Sequence, residues 1–473
     1  MVKEIIPTKI KSIQANKKNK PISAREAALL TLVKVEKEGA YANIALNQVL
    51  REYPVTAQDG RLAVQIAYGA VRMQGALDYI LAQLLTKPLA QLPEAILPIL
   101  RLSLYQLLYL DKIPPSAAVN EGVSLAKRYG GQRIGNMVNA VLRQSMRKGG
   151  LKLLPDKSAV PAEYLSVTLS HPRWLVDYLL QHWSFGEVEQ FCLNNNIPND
   201  VAIRTNTLRI NRDSLMSLLS EAGVAVEPSR YAPESIVVKA GSAAELNKLR
   251  QEGLFMTQGE SSTLVAHALN PQPGMTVLDM CAAPGGKATH LAALMENEGR
   301  VLACDIHPHK LKLIEEIANL LGIYTIEPTL ADALSLGDAG KLMVDALLLD
   351  APCSGLGTLA ARADSRWRKR REDIPRLADQ GLQMLLSAAN CLKPGGKLCY
   401  STCTITEEEN IGNIRRFLAA RPDYCLIAMD KLADIFTDPE DIAAVKRGYI
   451  QLLPQKQGVE GFFIALLQRR AHG

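Results

Sequence analysis

The second half of the chain alternates short apolar runs with helix-like segments, and this rhythm constrains the fold more than any other feature. The runs are TVLDMC (276–281), RVLACD (300–305), VDALLLD (344–350) and KLCYSTC (397–403), and helices are predicted between them over 286–297, 308–321 and 379–392. Strands that alternate with helices predict βαβ units and a mostly parallel sheet. Ligands of such sheets bind beyond the carboxyl ends of the strands. We therefore expect the functional residues at those strand ends.

The first part of the chain has a helical pattern instead. Over residues 22–147 apolar residues recur at helical spacing, as Leu29, Leu32 and Val33 do, which indicates an all-α domain. A chain of 473 residues is long enough for two or three domains. The expected organisation is a basic flexible tail (1–21), the helical domain (22–147), a linker (148–160), a small α/β subdomain (161–255) and a Rossmann-like catalytic domain (256–470).

Charge and cysteine usage limit the class of protein. The net charge is +6, and no apolar run is long enough to span a membrane, since Arg101 interrupts the run over 95–110. The N-terminus lacks a secretory pattern. The eight cysteines form no C-x-x-C pair, which argues against a disulfide framework and against a zinc site. We expect a cytoplasmic protein that binds no metal.

A glycine-rich turn follows the first apolar run, in VLDMCAAPGGKATHL. It is not a Walker A loop, because Ala288 follows Lys287 where that motif requires Ser or Thr. The next strand ends in Asp305, 19 residues after Gly286, where a carboxylate can accept both hydroxyls of a ribose. The pattern indicates a cofactor that contains a nucleoside, and S-adenosylmethionine fits. The alternative is a glycine turn with only a structural role.

Two cysteines lie just beyond predicted strand ends, Cys353 in DAPCSGLGT and Cys403 in YSTCT. A cysteine thiolate is a strong nucleophile for covalent catalysis. The residues alone leave open which of the two thiols attacks a substrate. They also leave open that both are inert buried thiols.

A basic segment follows DAPCSGLGT directly. Arginine side chains and an indole can bind phosphates or stack on bases. The candidates for RNA contact in this segment are Arg362, Arg366, Trp367, Arg368, Lys369, Arg370 and Arg371. The alternative is the solvated start of a charged helix. On the outer face of the helical domain the candidates are Arg25, Arg61, Arg72, Lys127, Arg128, Arg133 and Arg143.

Three motifs together resemble a known family. CAAPGGKATHL, DAPCSGLGT and YSTCT, in this order and spacing, resemble the RNA cytosine-C5 methyltransferases of the Sun/Fmu family. The helical part, with GRLAVQIAYGAVRMQGALD and NMVNAVLR, is similar to the NusB-like RNA-binding domain. The family usually has Asp-Gly-Phe-Phe near the C-terminus, where this chain has EGFF at 460–463. The resemblance covers the whole chain.

The resemblance implies a role for each matching residue. The S-adenosylmethionine loop would comprise Cys281, Ala282, Ala283, Pro284, Gly285, Gly286 and Lys287. Asp305 would hold the ribose, Asp332 would lie by the adenine, and Asp350 would lie near the methyl donor and the target base. Cys403 would be the nucleophile, and Cys353 would assist product release.

The same resemblance implies the substrate. A NusB-like domain joined to this catalytic domain implies methylation of C5 of one cytosine in 16S rRNA, through a covalent cysteine adduct at C6. The partner would be 16S rRNA or an early assembly intermediate of the small subunit, and the protein a monomer that needs no membrane. The rival hypotheses are the same chemistry on tRNA and a non-catalytic RNA-binding factor for assembly or antitermination.

Overall fold

The computed structural model of the chain describes residues 21–339 and 342–471. The basic tail expected over 1–21 lies, but for its last residue, outside the described residues. The chain forms two compact units. The first ends at Ile197 and also takes in Leu359–Lys369, and the second comprises Pro198–Thr358 and the chain from Arg370 onward.

The first unit is helical. Its helices are α1 (Ala24–Lys37), α2 (Ala42–Glu52), α3 (Ala57–Arg72), α4 (Gln74–Leu84), α5 (Ile96–Tyr109), α6 (Pro115–Gly130), α7 (Gln132–Arg147), α8 (Arg173–Leu180) and α9 (Phe185–Asn195). Shorter turns lie at Leu89–Gln91, Gly150–Leu153, Pro161–Glu163, Tyr164–Thr168 and Ser365–Arg368. Apolar side chains that recur every three or four residues, such as Leu29, Ile66 and Leu77, are fully buried and form the core. Among the described residues, no helix is long and apolar enough to cross a membrane.

Arg101 is the polar residue that interrupts the apolar sequence of α5, and it is buried in an ion-pair cluster. Its guanidinium donates two hydrogen bonds to Asp78, of 2.6 and 2.7 Å, and a further one to Glu36. A buried arginine persists only when carboxylates offset its lost hydration. The two carboxylates account for a charge in the middle of an otherwise apolar helix.

The second unit begins with a small four-stranded antiparallel sheet. Its strands are β1 (Val201–Thr205), β2 (Ala225–Pro228), β3 (Ser235–Ala240) and β4 (Phe255–Thr257), in the order β2-β3-β1-β4. The helices α10 (Arg212–Glu221) and α11 (Ala243–Gln251) lie between these strands in the chain. Residues 161–195 are helical and belong to the first unit. The α/β subdomain expected over 161–255 is therefore divided between the two units.

The rest of the second unit is built on an eight-stranded sheet. Its strands are β5 (Thr276–Asp279), β6 (Arg300–Asp305), β7 (Ile326–Leu330), β8 (Val344–Asp350), β9 (Leu392–Thr402), β10 (Tyr424–Leu426), β11 (Tyr449–Leu452) and β12 (Phe462–Arg469). The strand order is β10-β12-β9-β8-β5-β6-β7, and β11 pairs with β12. The five strands from β9 to β7 are parallel, and β10, β11 and β12 pair antiparallel.

Helices lie before and between the strands of this sheet. They are α12 (Glu260–Leu269), α13 (Gly286–Leu294), α14 (Pro308–Leu321), α15 (Asp373–Ala389), α16 (Ile411–Ala420) and α17 (Pro439–Lys446), with short turns at Leu336–Ala339, Asp430–Ala433 and Pro454–Gln457. The central strands are buried, as Val277, Leu347 and Leu349 show, which explains their continuous apolar sequence. The expected fold class, a helical domain followed by a small α/β subdomain and a Rossmann-like domain, is confirmed.

Candidate active site

The two candidate thiols face each other. Strands β8 and β9 are parallel neighbours, with Asp350 in register with Ser401, so the loops that follow them leave the same edge of the sheet. Cys353 lies in the first loop and Cys403 in the second, and their sulfur atoms are 3.5 Å apart. The backbone N–H of Gly357 donates to the carbonyl of Cys403 at 3.0 Å and ties the two loops together.

The environment of the two thiols differs. The pKa of Cys353 lies well above that of an ordinary thiol, because the thiol is hydrogen-bonded to the sulfur of Cys403 and because the group is buried. Negative charge nearby, on Glu409 and Asp350, raises it further. Cys353 therefore keeps its proton at neutral pH.

Asp350, the last residue of β8, is held by two donors. The Lys287 ammonium donates to Oδ2 at 2.7 Å, and the Ser401 hydroxyl donates to Oδ1 at 2.8 Å. Burial alone would lower the pKa of Lys287, but negative charge on Asp350 and on Cys403 outweighs burial and raises it. The ammonium also lies 5.4 Å from the centre of the Phe462 ring, which belongs to the EGFF motif. Lys287 is therefore a fixed positive charge beside the nucleophile candidates, a role that sequence reasoning missed.

The glycine-rich loop links β5 to α13. Gly285 has a φ of +110°, a conformation that favours glycine, and its N–H donates to the Ala282 carbonyl at 2.7 Å. The turn leaves Gly286 as the first residue of α13. The loop residues Cys281–Lys287 therefore lie at the carboxyl end of the central strand, where sequence reasoning expected the cofactor.

Two acids flank this loop at the ends of neighbouring parallel strands. Asp305 ends β6 and accepts from the backbone N–H of His307 at 2.9 Å. Asp332 follows β7 and accepts from the backbone N–H of Leu334 at 2.9 Å. Both acids thus lie at the same sheet edge as the glycine-rich loop.

Asp279 is a third acid at this edge, and sequence reasoning did not single it out. Its side chain is 1% exposed, and neither carboxylate oxygen has a hydrogen-bond partner among the described residues. Burial, with the nearby charge of Asp350, raises its pKa to about 7. A buried carboxyl group without a partner is costly, so this group is expected to meet a polar ligand. Its position at the end of β5, in VLDMC, was the available signal.

The basic segment after DAPCSGLGT is not the exposed RNA surface that the sequence suggested. Arg366 is 0% exposed and lies inside the first unit. Its guanidinium donates to the carbonyls of Ser170 (3.0 Å) and Asn195 (2.8 Å) and to the side chain of Asn196 (2.8 Å). The interpretation of Arg366 as an RNA contact is wrong, because these buried acceptors use the donors that phosphates would need.

The neighbours of Arg366 are held in the same way. The Trp367 indole N–H donates to the Val71 carbonyl at 2.9 Å, and its ring packs on the core of the first unit. Arg368 donates to the carbonyls of Gly39 and Ala40. Both residues are half-buried, so their interpretation as free RNA contacts is corrected as well.

The other basic residues of the segment differ in exposure. Arg362, Arg370 and Arg371 are exposed, and Lys369 is half-buried. In the helical domain Arg72 is buried and donates to the Ala360 carbonyl at 3.1 Å, so it is not on the outer face as expected.

One group of side chains could hold a metal ion by composition, namely Glu234, His267 and His290. Glu234 Oε1 lies 2.9 Å from Nε2 of His267 and 2.8 Å from Nε2 of His290. These separations are those of hydrogen-bonded groups, and the buried guanidinium of Arg204 already offsets the carboxylate charge. Glu234, His267 and His290 therefore form a buried polar network next to Arg204.

Comparisons with known proteins agree with this geometry. A family model described as 16S rRNA methyltransferase RsmB/F matches residues 266–468, and a NusB family model matches 22–147. A model described as the ferredoxin-like domain of RsmF/B-like methyltransferases matches 171–245.

Individual relatives cover nearly the whole chain. The probable ribosomal RNA small subunit methyltransferase B of Bacillus subtilis is 37% identical over 456 residues, which cover 95% of this chain and 100% of that protein. A protein of the same name from Synechocystis is 35% identical, with 95% and 100% covered. The crystal structure of NSun6 from Pyrococcus horikoshii with SFG has a TM-score of 0.54 and 25% identity, covering 63% of this chain and 97% of that one. The resemblance is thus confirmed, and the chain belongs to the RsmB/F family of 16S rRNA methyltransferases.

Proposed function

We propose that this protein uses S-adenosylmethionine to methylate C5 of a cytosine in 16S rRNA, through a covalent adduct between Cys403 and C6. The observation that carries the proposal is the pair of sulfur atoms 3.5 Å apart, beside the Lys287–Asp350 ion pair. A methyl transfer to a nucleophilic oxygen or nitrogen needs no thiol. Carbon C5 of cytosine is a poor nucleophile and needs one, because a sulfur bonded to C6 makes C5 electron-rich.

The cofactor assignment rests on the chemistry of the donor groups. The Asp305 carboxylate can accept from the two ribose hydroxyls, and the unpartnered Asp279 supplies further acceptors beside the loop Cys281–Lys287. Ile306 follows Asp305 in the chain, and Leu334 is two residues after Asp332. Both are exposed apolar side chains, which suit an adenine ring. NSun6 from Pyrococcus horikoshii was solved with SFG, an analogue of S-adenosylmethionine. When bound, S-adenosylmethionine supplies an electrophilic methyl group.

The choice of nucleophile follows from the two thiols. An ordinary cysteine is only a small fraction thiolate at neutral pH, so neighbouring groups must favour the anion. The Lys287 ammonium is close enough to Cys403 for the two charges to interact. This contact favours negative charge on Cys403, which agrees with the role that the resemblance implied.

The reaction assigns one task to each group. The Cys403 thiolate forms a bond to C6, and the electrons of the C5–C6 double bond move to C5, which takes the methyl group as the bond between that methyl and the donor sulfur breaks. Asp350, fixed by Lys287 and Ser401, would act as a carboxylic acid, donating a proton to N3 and accepting from the N4 amino group while negative charge builds on the ring. Loss of the C5 proton then restores the double bond and expels the Cys403 thiolate. The S–H of Cys353 stabilises that leaving thiolate, which makes Cys353 the group for product release.

RNA binding is proposed for the NusB-like domain and for the exposed residues Arg362, Arg370 and Arg371. The relatives from Bacillus subtilis and Synechocystis carry names that refer to the ribosomal small subunit. We therefore favour 16S rRNA or an assembling small subunit over tRNA, and a monomer as the working form. The target cytosine must leave any stacked helix to reach Cys403.

The test is a denaturing gel for covalent protein–RNA adducts. Wild type, Cys353→Ala and Cys403→Ala would each be mixed with S-adenosylmethionine and either protein-free 16S rRNA or tRNA. We expect a trapped adduct with 16S rRNA for Cys353→Ala alone, and no methyl transfer by Cys403→Ala. Cys425→Ala, which removes a thiol from β10 and not from either loop, is the matched control and should behave as wild type.

The other outcomes are equally informative. An adduct from Cys403→Ala in place of Cys353→Ala would reverse the two thiol roles. Methylation of tRNA alone would refute the substrate assignment. A wild type that binds RNA without methylating any RNA, and that does not bind S-adenosylmethionine, would support the non-catalytic factor instead.

A further inference from the structure

A buried carboxylate adds a second connection between the two thiol loops, besides the Gly357–Cys403 hydrogen bond. Glu409 belongs to the loop that carries Cys403 and precedes α16, and its side chain is 1% exposed. Its Oε1 accepts from the backbone N–H of Ser354 at 2.6 Å, and its Oε2 accepts from the Ser354 hydroxyl at 2.6 Å. Ser354 is the residue after Cys353, so Glu409 binds the loop of Cys353 directly beside that thiol.

The same carboxylate also reaches the residue after the other thiol. The Thr404 hydroxyl lies 2.6 Å from the Ser354 hydroxyl oxygen. The Thr404 hydroxyl also donates to Oε2 of Glu409 at 3.5 Å. The result is a hydrogen-bond chain from Thr404 through Ser354 to Glu409, and each thiol is one residue away from it.

The Glu409 carboxylate accepts hydrogen bonds from several buried donors. Thr406 adds a third hydroxyl donor, at 2.5 Å from Oε2. A buried carboxylate that accepts several hydrogen bonds is stabilised in its charged form. Ser354, Thr404 and Thr406 are themselves buried, so this bridge is shielded from water and its geometry is fixed.

The loops contribute little regular structure of their own to fix the sulfur atoms. Cys353 lies outside any helix or strand, and Cys403 is the residue just beyond the end of β9. A proton transfer or a stabilising S–H contact between two sulfurs depends steeply on their separation. Some group must therefore fix the loops relative to each other, and Glu409 spans both.

We infer that Glu409 is a positioning residue that keeps Cys353 within reach of Cys403, so that the enzyme can release its methylated product. The inference rests on the proposed function, because it assumes that Cys403 forms the adduct and that Cys353 assists its breakdown. Glu409 binds the residue after Cys353 and is assigned no part in forming the adduct.

The test compares Glu409→Gln with Glu407→Gln in the full chain. Glu407 lies two residues away, is exposed and pairs with Arg415 on the surface, so its variant makes the same change of charge outside the bridge. Ser354→Ala is a second variant, which removes the hydroxyl link and keeps the backbone N–H contact. Each protein would react with 16S rRNA in a single turnover, with methyl transfer and adduct breakdown followed separately.

We expect methyl transfer within about twofold of wild type for every variant, and adduct breakdown slowed about tenfold to a hundredfold for Glu409→Gln and Ser354→Ala. The affinity for S-adenosylmethionine should not change, whereas a variant that had lost its fold would lose that affinity. Adduct breakdown at the wild-type rate in both variants would overturn the inference. Failure of the proposed function is distinguishable, because then wild type itself would give neither methylation nor adduct.

Discussion

Replacing Arg366 by methionine should destabilise the first unit and leave RNA binding intact. The guanidinium makes three hydrogen bonds of 2.8–3.0 Å and one of 3.4 Å, to the Leu359 carbonyl. Methionine has a similar length but no donor, so three buried carbonyl oxygens would lose their partner. Each unpaired acceptor costs about 1–3 kcal/mol.

Removing the buried charge of Arg366 has a stabilising effect, which opposes the loss of stability from the unpaired acceptors. Burial, together with the nearby Arg72, lowers the pKa of Arg366 to about 9, so the guanidinium is charged at neutral pH and its lost hydration costs stability. Removing that charge returns several kcal/mol. We expect a net loss of about 2–4 kcal/mol, since the acceptors are numerous and fixed by the backbone.

The measurement is hydrogen exchange of the full chain with thermal unfolding. In Arg366→Met, backbone amide hydrogens should exchange faster at Asn195 and over 359–369. The hydrogen bonds of Arg366 resist local opening of these segments in the wild type, and the variant lacks them. Arg250→Met is the matched control, because Arg250 is exposed and is not among the proposed RNA contacts, and its stability should change by no more than about 0.5 kcal/mol. Unchanged exchange in Arg366→Met together with weakened RNA affinity would refute this reasoning and restore the RNA interpretation of Arg366.

Two further predictions follow from buried groups. Peroxide should convert the Cys353 and Cys403 thiols into a disulfide, since two thiol hydrogens and one peroxide give two waters. The mass of the protein should fall by about 2 Da, and activity should return with dithiothreitol. An unchanged count of free thiols would contradict the prediction. Burial lowers the pKa of His290 to about 4, so the unfolded chain binds a proton that the folded chain does not. Stability present above about pH 6.5 should therefore fall by up to about 3 kcal/mol as the pH drops to 4, and His290→Gln should flatten that slope in denaturant titrations.

The fold was largely predictable because it depends on local periodicity. The helix predicted over 308–321 is observed as Pro308–Leu321. The helix predicted over 379–392 begins earlier, at Asp373, because proline is tolerated in the first turn and Pro375 does not prevent a helix there. Local sequence carries the apolar period and the turn residues, and these set most element boundaries.

The site was predictable only in part, because its key contacts join residues far apart in the chain. Each thiol could be placed after a strand, but their separation depends on β8 and β9 being neighbours. The pairing of Lys287 with Asp350 spans 63 residues, and the contact of Glu409 with Ser354 spans 55. No sequence period reports such pairings.

For the basic segment over 362–371, sequence reasoning predicted a contact surface that the structure does not have at Arg366, Trp367 and Arg368. Clustered arginines normally indicate a solvated surface, yet burial depends on the acceptors that surrounding backbone provides. Arg366 meets carbonyls of Ser170 and Asn195, which lie more than 170 residues earlier. Composition carries no information about these acceptors.

The assignment of Leu359–Lys369 to the helical unit limits how this protein can be dissected. The backbone passes between the two units at 197/198, 358/359 and 369/370, so no single cut separates them. A fragment that starts at residue 198 would retain Ala363, Arg366 and Trp367 without the core in which they are buried. The catalytic unit is therefore not a free-standing module of the chain, and a helical fragment ending at 197 would in turn lack one of its own packed segments.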